Sequence, residues 1–502
     1  MNRDKLQDAL SHISDKHITE AAAPKKRRHA PWITAIAACL VLAIGLSVIL
    51  PRLPGEEPGP AILEDPMPTE PVKPPVIFTP EEIHVVPLAA AKYPETVAFP
   101  LDQSDFPAWD KEYEKWFLHQ RELHSAPEGY ADNLTVFWKQ STQTFLSEDS
   151  GKNKLYSPIS LYMALSILAQ ATAGETQQEI LTLLGADSMD ALAQQAKQVF
   201  ENQYQNDGVH TSILANSLWL DDQFSFKQET VDAIAENFYA SVYQGALESP
   251  EMNTALKNWL SQQTGGLLDE SIAALKPMEI NTALAIASTI NYRCKWQSAF
   301  SSSQNTQKSF HGTKGEQTVT YMNKTLLHGE YYWGEGYTAT YLPLDDGSRM
   351  WLILPNEDTT TETVLQEGKA MDMILGEDDS AGYLSLRVNL SVPKFDVTAG
   401  LDLIEGLQEL GIQKAMDYYE ADFSAINNTL DGRMWLKQAR QGIRVAIDED
   451  GLTGVAYTIL VAPGDGMPSM EEVDFVLDRP FLFVVESPDG LPLFTGIVNN
   501  PQ

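Results

Sequence analysis

Asp478–Gln502 reads DRPFLFVVESPDGLPLFTGIVNNPQ. It holds two apolar runs, Phe481–Val485 and Leu493–Val498, of the length that suits buried strands. Working upstream, runs of the same kind stand at Leu384–Val392, Met350–Leu354, Tyr337–Leu344 and Leu284–Tyr292. Before about residue 280 the spacing is helical instead. Asp105–His124 predicts a helix rich in aromatics (Phe106, Trp109, Tyr113, Trp116, Phe117). Another is expected to start at Asp132 or Asn133, both good caps, with Phe137, Trp138, Ser141 and Phe145 on one face. Helical patterns continue through Ser160–Leu184, Ser188–Glu201, Gln228–Phe238 and Asn253–Thr264. Helices first and mostly strands afterwards predict an α+β fold rather than alternating βαβ units. No tandem repeat is present.

Composition narrows the partners. Lys+Arg is 35 against 69 Asp+Glu, a net charge of −34 over 502 residues. Phosphate recognition needs clustered cations, so nucleic acid is excluded as the main partner. Two cysteines, Cys39 and Cys294, cannot make a disulfide scaffold.

The charge is uneven. Residues 1–31 carry seven basic and four acidic residues, a net of +3, and form a basic head. Trp32–Leu50, WITAIAACLVLAIGLSVIL, follows with 19 uncharged residues. As a helix it would span roughly 28 Å, close to a bilayer's hydrocarbon thickness. Lys25, Lys26, Arg27 and Arg28 precede it, which places the N-terminus in the cytoplasm and the rest outside. A cleaved signal peptide would have a shorter leader and small residues at the cut. Ile36-Ala37-Ala38-Cys39 resembles a lipobox, yet the apolar run continues for eleven residues beyond Cys39. The expectation is an uncleaved single-pass anchor, with a lipoprotein signal, a cleaved signal and a buried core helix as alternatives. Residues 51–80 hold ten of the 29 prolines, so 51–95 reads as an extended linker. An accessory helical segment at 96–125 and a large domain at 126–502 follow. The head resembles those that precede single anchors in some Gram-positive bacterial membrane proteins.

Catalytic motifs are missing. HExxH, GxSxG and the P-loop pattern do not occur. The nine histidines show no metal spacing, and His119 and His124, five apart, do not share a helix face. No cofactor, metal or enzymatic activity is expected.

Ordered motifs along 126–502 resemble the serpin family. Near the front is NKLYSPISLYMALSILAQATAGETQQEI at Asn153–Ile180, with Ser157-Pro158, Ser160 and Gly174-Glu175-Thr176. Ala285–Trp296 resembles the strand that ends in the family's tryptophan, and Val392-Pro393-Lys394-Phe395 its PKF strand. Leu410-Gly411-Ile412 and Ala421-Asp422-Phe423-Ser424 match the next helix and turn. The C-terminal Asp478–Phe483, Leu493–Gly496 and Asn500-Pro501 match most strongly. The resemblance implies three β-sheets, about nine helices and an exposed reactive-centre loop. In this family the loop is bait for a protease and, once cut, inserts into the large sheet.

By family spacing the hinge begins at Glu449-Asp450-Gly451 and the scissile bond is Asp465-Gly466. Gly451 to Asp465 is about 46 Å of extended chain at roughly 3.3 Å per residue. An inserting strand alternates its faces and tolerates no central proline. Leu452, Gly454, Ala456, Thr458 and Leu460 would form the inward row, without charge, and the first proline is Pro463. The family prefers Thr or Ser where Leu452 stands, so Leu452 is expected to slow the first step. The resemblance also implies a hydrogen-bond cluster of Ser157, Ser160, Ser288 and Gln441 under the central strands. Lys394 and Glu449 match the family's ion pair beside Trp296, and Cys294 replaces a frequent glycine.

The function so implied is a membrane-tethered suicide inhibitor of a protease, by family default a serine protease, with a covalent acyl complex as its product. The alternative is a non-inhibitory serpin fold used as a binding or adhesion module at the cell surface.

Overall fold

Strands form at every apolar run named above, and others join them that alternation did not reveal. The computed structural model describes residues 85–501 apart from 103, 128, 149–150, 274, 280–281, 379, 430–431 and 453–470. The expected head 1–31, anchor 32–50 and most of the linker 51–95 lie outside the described residues, as do Gly454, Ala456, Thr458, Asp465 and Gly466. Among the described residues no helix is long and apolar enough to cross a membrane.

Among the described residues seven strands form one sheet: β2 (Gln205–Asn206), β3 (Thr211–Asp221), β4 (Ala240–Gly245), β5 (Leu284–Lys295), β11 (Phe395–Asp402), β12 (Arg440–Ile447) and β13 (Gly451–Leu452). Their order is β11-β12-β13-β5-β3-β2, with β4 also on β3. Nine strands form the other: β1 (Lys154–Tyr156), β6 (Thr306–Gly312), β7 (Gly315–Gly334), β8 (Tyr337–Pro343), β9 (Arg349–Pro355), β10 (Gly382–Pro393), β14 (Glu472–Val476), β15 (Phe481–Glu486) and β16 (Pro492–Val498). The three sheets expected therefore resolve into two hydrogen-bonded sets. The reason is β7, twenty residues long, which pairs with β6 near its start and with β10 and β8 farther on. It carries ladder hydrogen bonds across what would otherwise be a sheet boundary.

Helices pack over these sheets. Helix Phe106–Leu123 is capped by Asp105, whose carboxylate accepts from Ala108 N–H. It leans on the body through Phe99, whose ring meets Tyr113 and Trp116 edge-on. In helix Asp132–Leu146 the cap position is Ala131, so neither Asp132 nor Asn133 caps it. Asp132 instead favours the first turn by its charge, and the Asn133 amide donates to Leu184 O, 3.1 Å away. Its expected face is buried: Phe137, Trp138, Ser141 and Phe145. The single run predicted at Ser160–Leu184 is two helices, Pro158–Ala171 and Gly174–Leu183, separated at extended Thr172 and Ala173. Helix Pro158–Ala171 is apolar nearly all round because it runs through the core behind the seven-stranded sheet. β15 and β16 are buried almost throughout, which explains their unbroken apolar sequence.

Candidate functional site

β5 and β12 run in the same direction, and β13 lies antiparallel between their upper ends. Leu452 faces Cys294 of β5 on one side and Ile447 of β12 on the other, while Gly451 faces Lys295. Below this dipeptide no ladder joins β5 to β12 among the described residues. A cavity of about 20 Å³ lies there, lined on the two strands by Ser288, Thr289 and Ile290 and by Gln441, Gly442 and Ile443. Nothing lies within 4 Å of where a Cβ on Gly442 would stand. The sheet thus has a slot with a two-residue strand started at its head. Leu452, only 3% exposed, is already seated in it.

The approach to the slot is tied down. Asp448 closes a turn by accepting at Oδ1 from Asp450 N–H (2.9 Å) and Gly451 N–H (3.1 Å). Trp296, at the end of β5, donates from Nε1 to Asp448 O (2.8 Å) and from its backbone N–H to Asp450 O (3.0 Å). Phe300 N–H donates to Glu449 O at 2.9 Å, and the Phe300 ring meets Trp296 edge-on. Lys394 Nζ and Glu449 Oε1 are 2.6 Å apart, and the Asn305 amide donates to the same oxygen. Burial pushes the Glu449 carboxyl up, but Lys394 and Asn305 outweigh it and hold it below its ordinary value. Asn305 had no signal in the sequence beyond being polar.

Gly451 sits where no side chain fits. A Cβ there would lie 2.3 Å from Cys294 O and 2.7 Å from Lys295 Cα, both backbone atoms that cannot swing aside.

The small polar residues beneath the slot form two groups rather than one. Ser157 caps helix Pro158–Ala171 and donates from its hydroxyl to Ser160 Oγ at 3.0 Å. Gln441 of β12 accepts from Ser157 N–H (3.0 Å) and donates to Ser157 O (2.9 Å), using both ends of its amide. Ser288 does not join them. It donates to Asn216 Oδ1 of β3 at 2.8 Å, and the Asn216 amide donates to Phe238 O at 3.1 Å. Asn216 was missed in the sequence, although a lone amide inside the apolar run Ile213–Leu220 is a usable signal. The reason for the split is positional: Ser288 faces Asn216 directly in the β3–β5 ladder. One group therefore belongs to the β12 side of the slot and the other to the β5 side.

The fold has counterparts among known proteins. Residues 133–501 match the model of the Serpin (serine protease inhibitor) family. The chain belongs to the serpin family. Serpin-Z7 of Hordeum vulgare is 26% identical over 378 residues, covering 70% of this chain and 91% of the plant protein. Tengpin, a thermophilic serpin in its native state, shares the fold with a TM-score of 0.66 at 22% identity, over 75% of this chain and 95% of tengpin. Human thyroxine-binding globulin does so with a TM-score of 0.64 at 19% identity, over 76% of this chain and 99% of that one. As the family's name says, serpins are in general inhibitors of serine proteases rather than catalysts.

In this serpin Gly451→Ala should expel the dipeptide from the slot. Hydrogen exchange of the peptide spanning Asp448–Leu452 should rise well above wild type, and unchanged protection would contradict the close approach of Gly451.

Acid should act on the same contact. Glu449 is more acidic folded than unfolded, so its contribution is present above its ordinary value of 4.5 and is lost as the pH falls through the folded value. The gap in urea midpoint between wild type and Glu449→Gln should be constant above about pH 4.5 and close below it.

Proposed function

We propose that this serpin is a suicide inhibitor of a protease, trapping it by cleavage and insertion of the segment after Leu452. The observation that carries this reading is the started slot: a dipeptide seated between two parallel strands that, among the described residues, do not pair below it. Continuing its register gives the inserted strand. Each further loop residue steps one residue back along β5 and β12. Gly454 would face Tyr292 and Val445, Ala456 would face Ile290 and Ile443, and Thr458 would face Ser288 and Gln441. Ala462 would reach Leu284, the foot of β5. Asp465, the assigned bait residue, would lie just past the end of the strand, so an attached protease would be carried the full length of the sheet. Leu452, expected to slow the first step, has already taken its place.

Neutral, mostly small side chains on the inward row make the step downhill once the loop is cut. Gly454→Glu should break it. A carboxylate would be buried between Tyr292 and Val445 without a partner, at a cost of several kcal/mol. With a broad-specificity serine protease, wild type should give a detergent-stable complex, and the peptide released should begin between Gly464 and Pro468, most simply at Gly466. The variant should be cleaved at the same bond and release active protease. A stable complex formed equally by Gly454→Glu would reject the insertion reading. Wild type that is never trapped by any protease would favour the binding-module alternative.

We also propose that Trp32–Leu50 anchors the chain in a bacterial membrane with the serpin domain outside. The basic flank and the uncharged run support this. Protease added to intact cells should digest or become trapped by the domain, and full protection of the domain would refute the orientation.

A further inference from the structure

We infer that His210, Cys294 and Asp345 form a binding site for a zinc-class divalent cation at the head of the slot. His210 stands just before β3, Cys294 on β5 and Asp345 in the turn after β8. One ligand atom from each lies within 4.8 Å of the other two. Asp345 Oδ1 is 3.3 Å from His210 Nε2 and 3.0 Å from Cys294 Sγ. Four-coordinate zinc with bonds of roughly 2.0–2.3 Å holds its ligands about 3.4 Å apart, so small side-chain shifts suffice.

The imidazole is the second observation. His210 is 7% exposed, and its Nε2 lacks a partner in hydrogen-bond alignment, although Asp345 is near. Its other nitrogen is held by Asp207, whose Oδ2 is 3.2 Å from Nδ1. Asp207 is itself fixed, accepting from His210 N–H, Val209 N–H and the Trp116 indole. A carboxylate behind a histidine is the support that orients a metal-ligating imidazole. Asp345 Oδ1 also accepts from Lys295 N–H, which fixes that carboxylate too. Its side chain is 24% exposed, leaving an open side for entry and for a water as fourth ligand.

Thiolate, imidazole and carboxylate together select zinc or cobalt over calcium or magnesium, which prefer all-oxygen shells. On binding, the thiol proton and any proton on Nε2 leave to solvent. Because Cys294 pairs with Leu452, the ion would fasten the end of β5 beside the hinge.

The test is titration of Co²⁺ into the full-length, reduced, metal-free protein in detergent. One equivalent should produce a thiolate-to-cobalt charge-transfer band that Zn²⁺ abolishes. Cys39→Ser should keep the band, Cys294→Ser should lose it, and Asp207→Asn should weaken binding about 10–100-fold. No band in wild type, a band that survives Cys294→Ser, or unchanged affinity in Asp207→Asn would overturn the site. If Cys294→Ser does not fold, His210→Gln decides: a marked loss of Co²⁺ affinity supports the site, and unchanged affinity overturns it.

Discussion

Two parallel strands in one sheet that, among the described residues, do not pair with each other are the constraint on which this molecule turns. Unpaired backbone groups in a half-buried slot are costly unless something satisfies them. Among the described residues β5 and β12 meet that need at their upper ends, through Gly451 and Leu452. Most of the arrangement around them bears on this contact. Trp296 holds the turn that delivers the dipeptide, Lys394 and Asn305 hold Glu449, and Gly451 supplies the clearance for backbone to meet backbone.

The polar groups below are distributed so that each half of the sheet is held without fastening the halves together. Gln441 binds β12 to the start of helix Pro158–Ala171, and Ser288 with Asn216 binds β5 to β3. A single cluster across the slot would have to break before a strand entered. Two clusters, one on each bank, would leave the proposed insertion free of that barrier.

Much of the fold was legible because its strongest elements have clean periods. Helix Phe106–Leu123 falls within a residue of its predicted span at each end, and the buried strands β9, β15 and β16 were visible as apolar runs. What stayed hidden has physical causes. Only four of the twenty residues of β7 are buried, so its ladder left little trace in hydrophobicity. β3 is buried almost throughout, and a continuous apolar run lying among helices does not declare its period. The Lys394–Glu449 contact could be named only from family motifs, since nothing local links two residues so far apart in the chain. The grouping of Ser288 with Ser157 was misjudged because register across β3 and β5, not proximity in a family pattern, decides its partner. His210, Cys294 and Asp345 come from three separate elements, so no spacing rule could collect them.

The segment between Leu452 and Glu472, proposed above as the bait, is held at both ends. Its front is held at Leu452 in the seven-stranded sheet, and its rear at Glu472 on β14, the outermost strand of the nine-stranded sheet. β14 is fastened to β10 over five residue pairs only. Under the proposed insertion, an uncut segment would enter the slot only if this rim strand peeled away. On the insertion proposed above, the intact protein would therefore be a clock as well as a trap. Its running time would be set at a place remote from the proposed bait, by how firmly five residues at a sheet's margin keep hold of their neighbour.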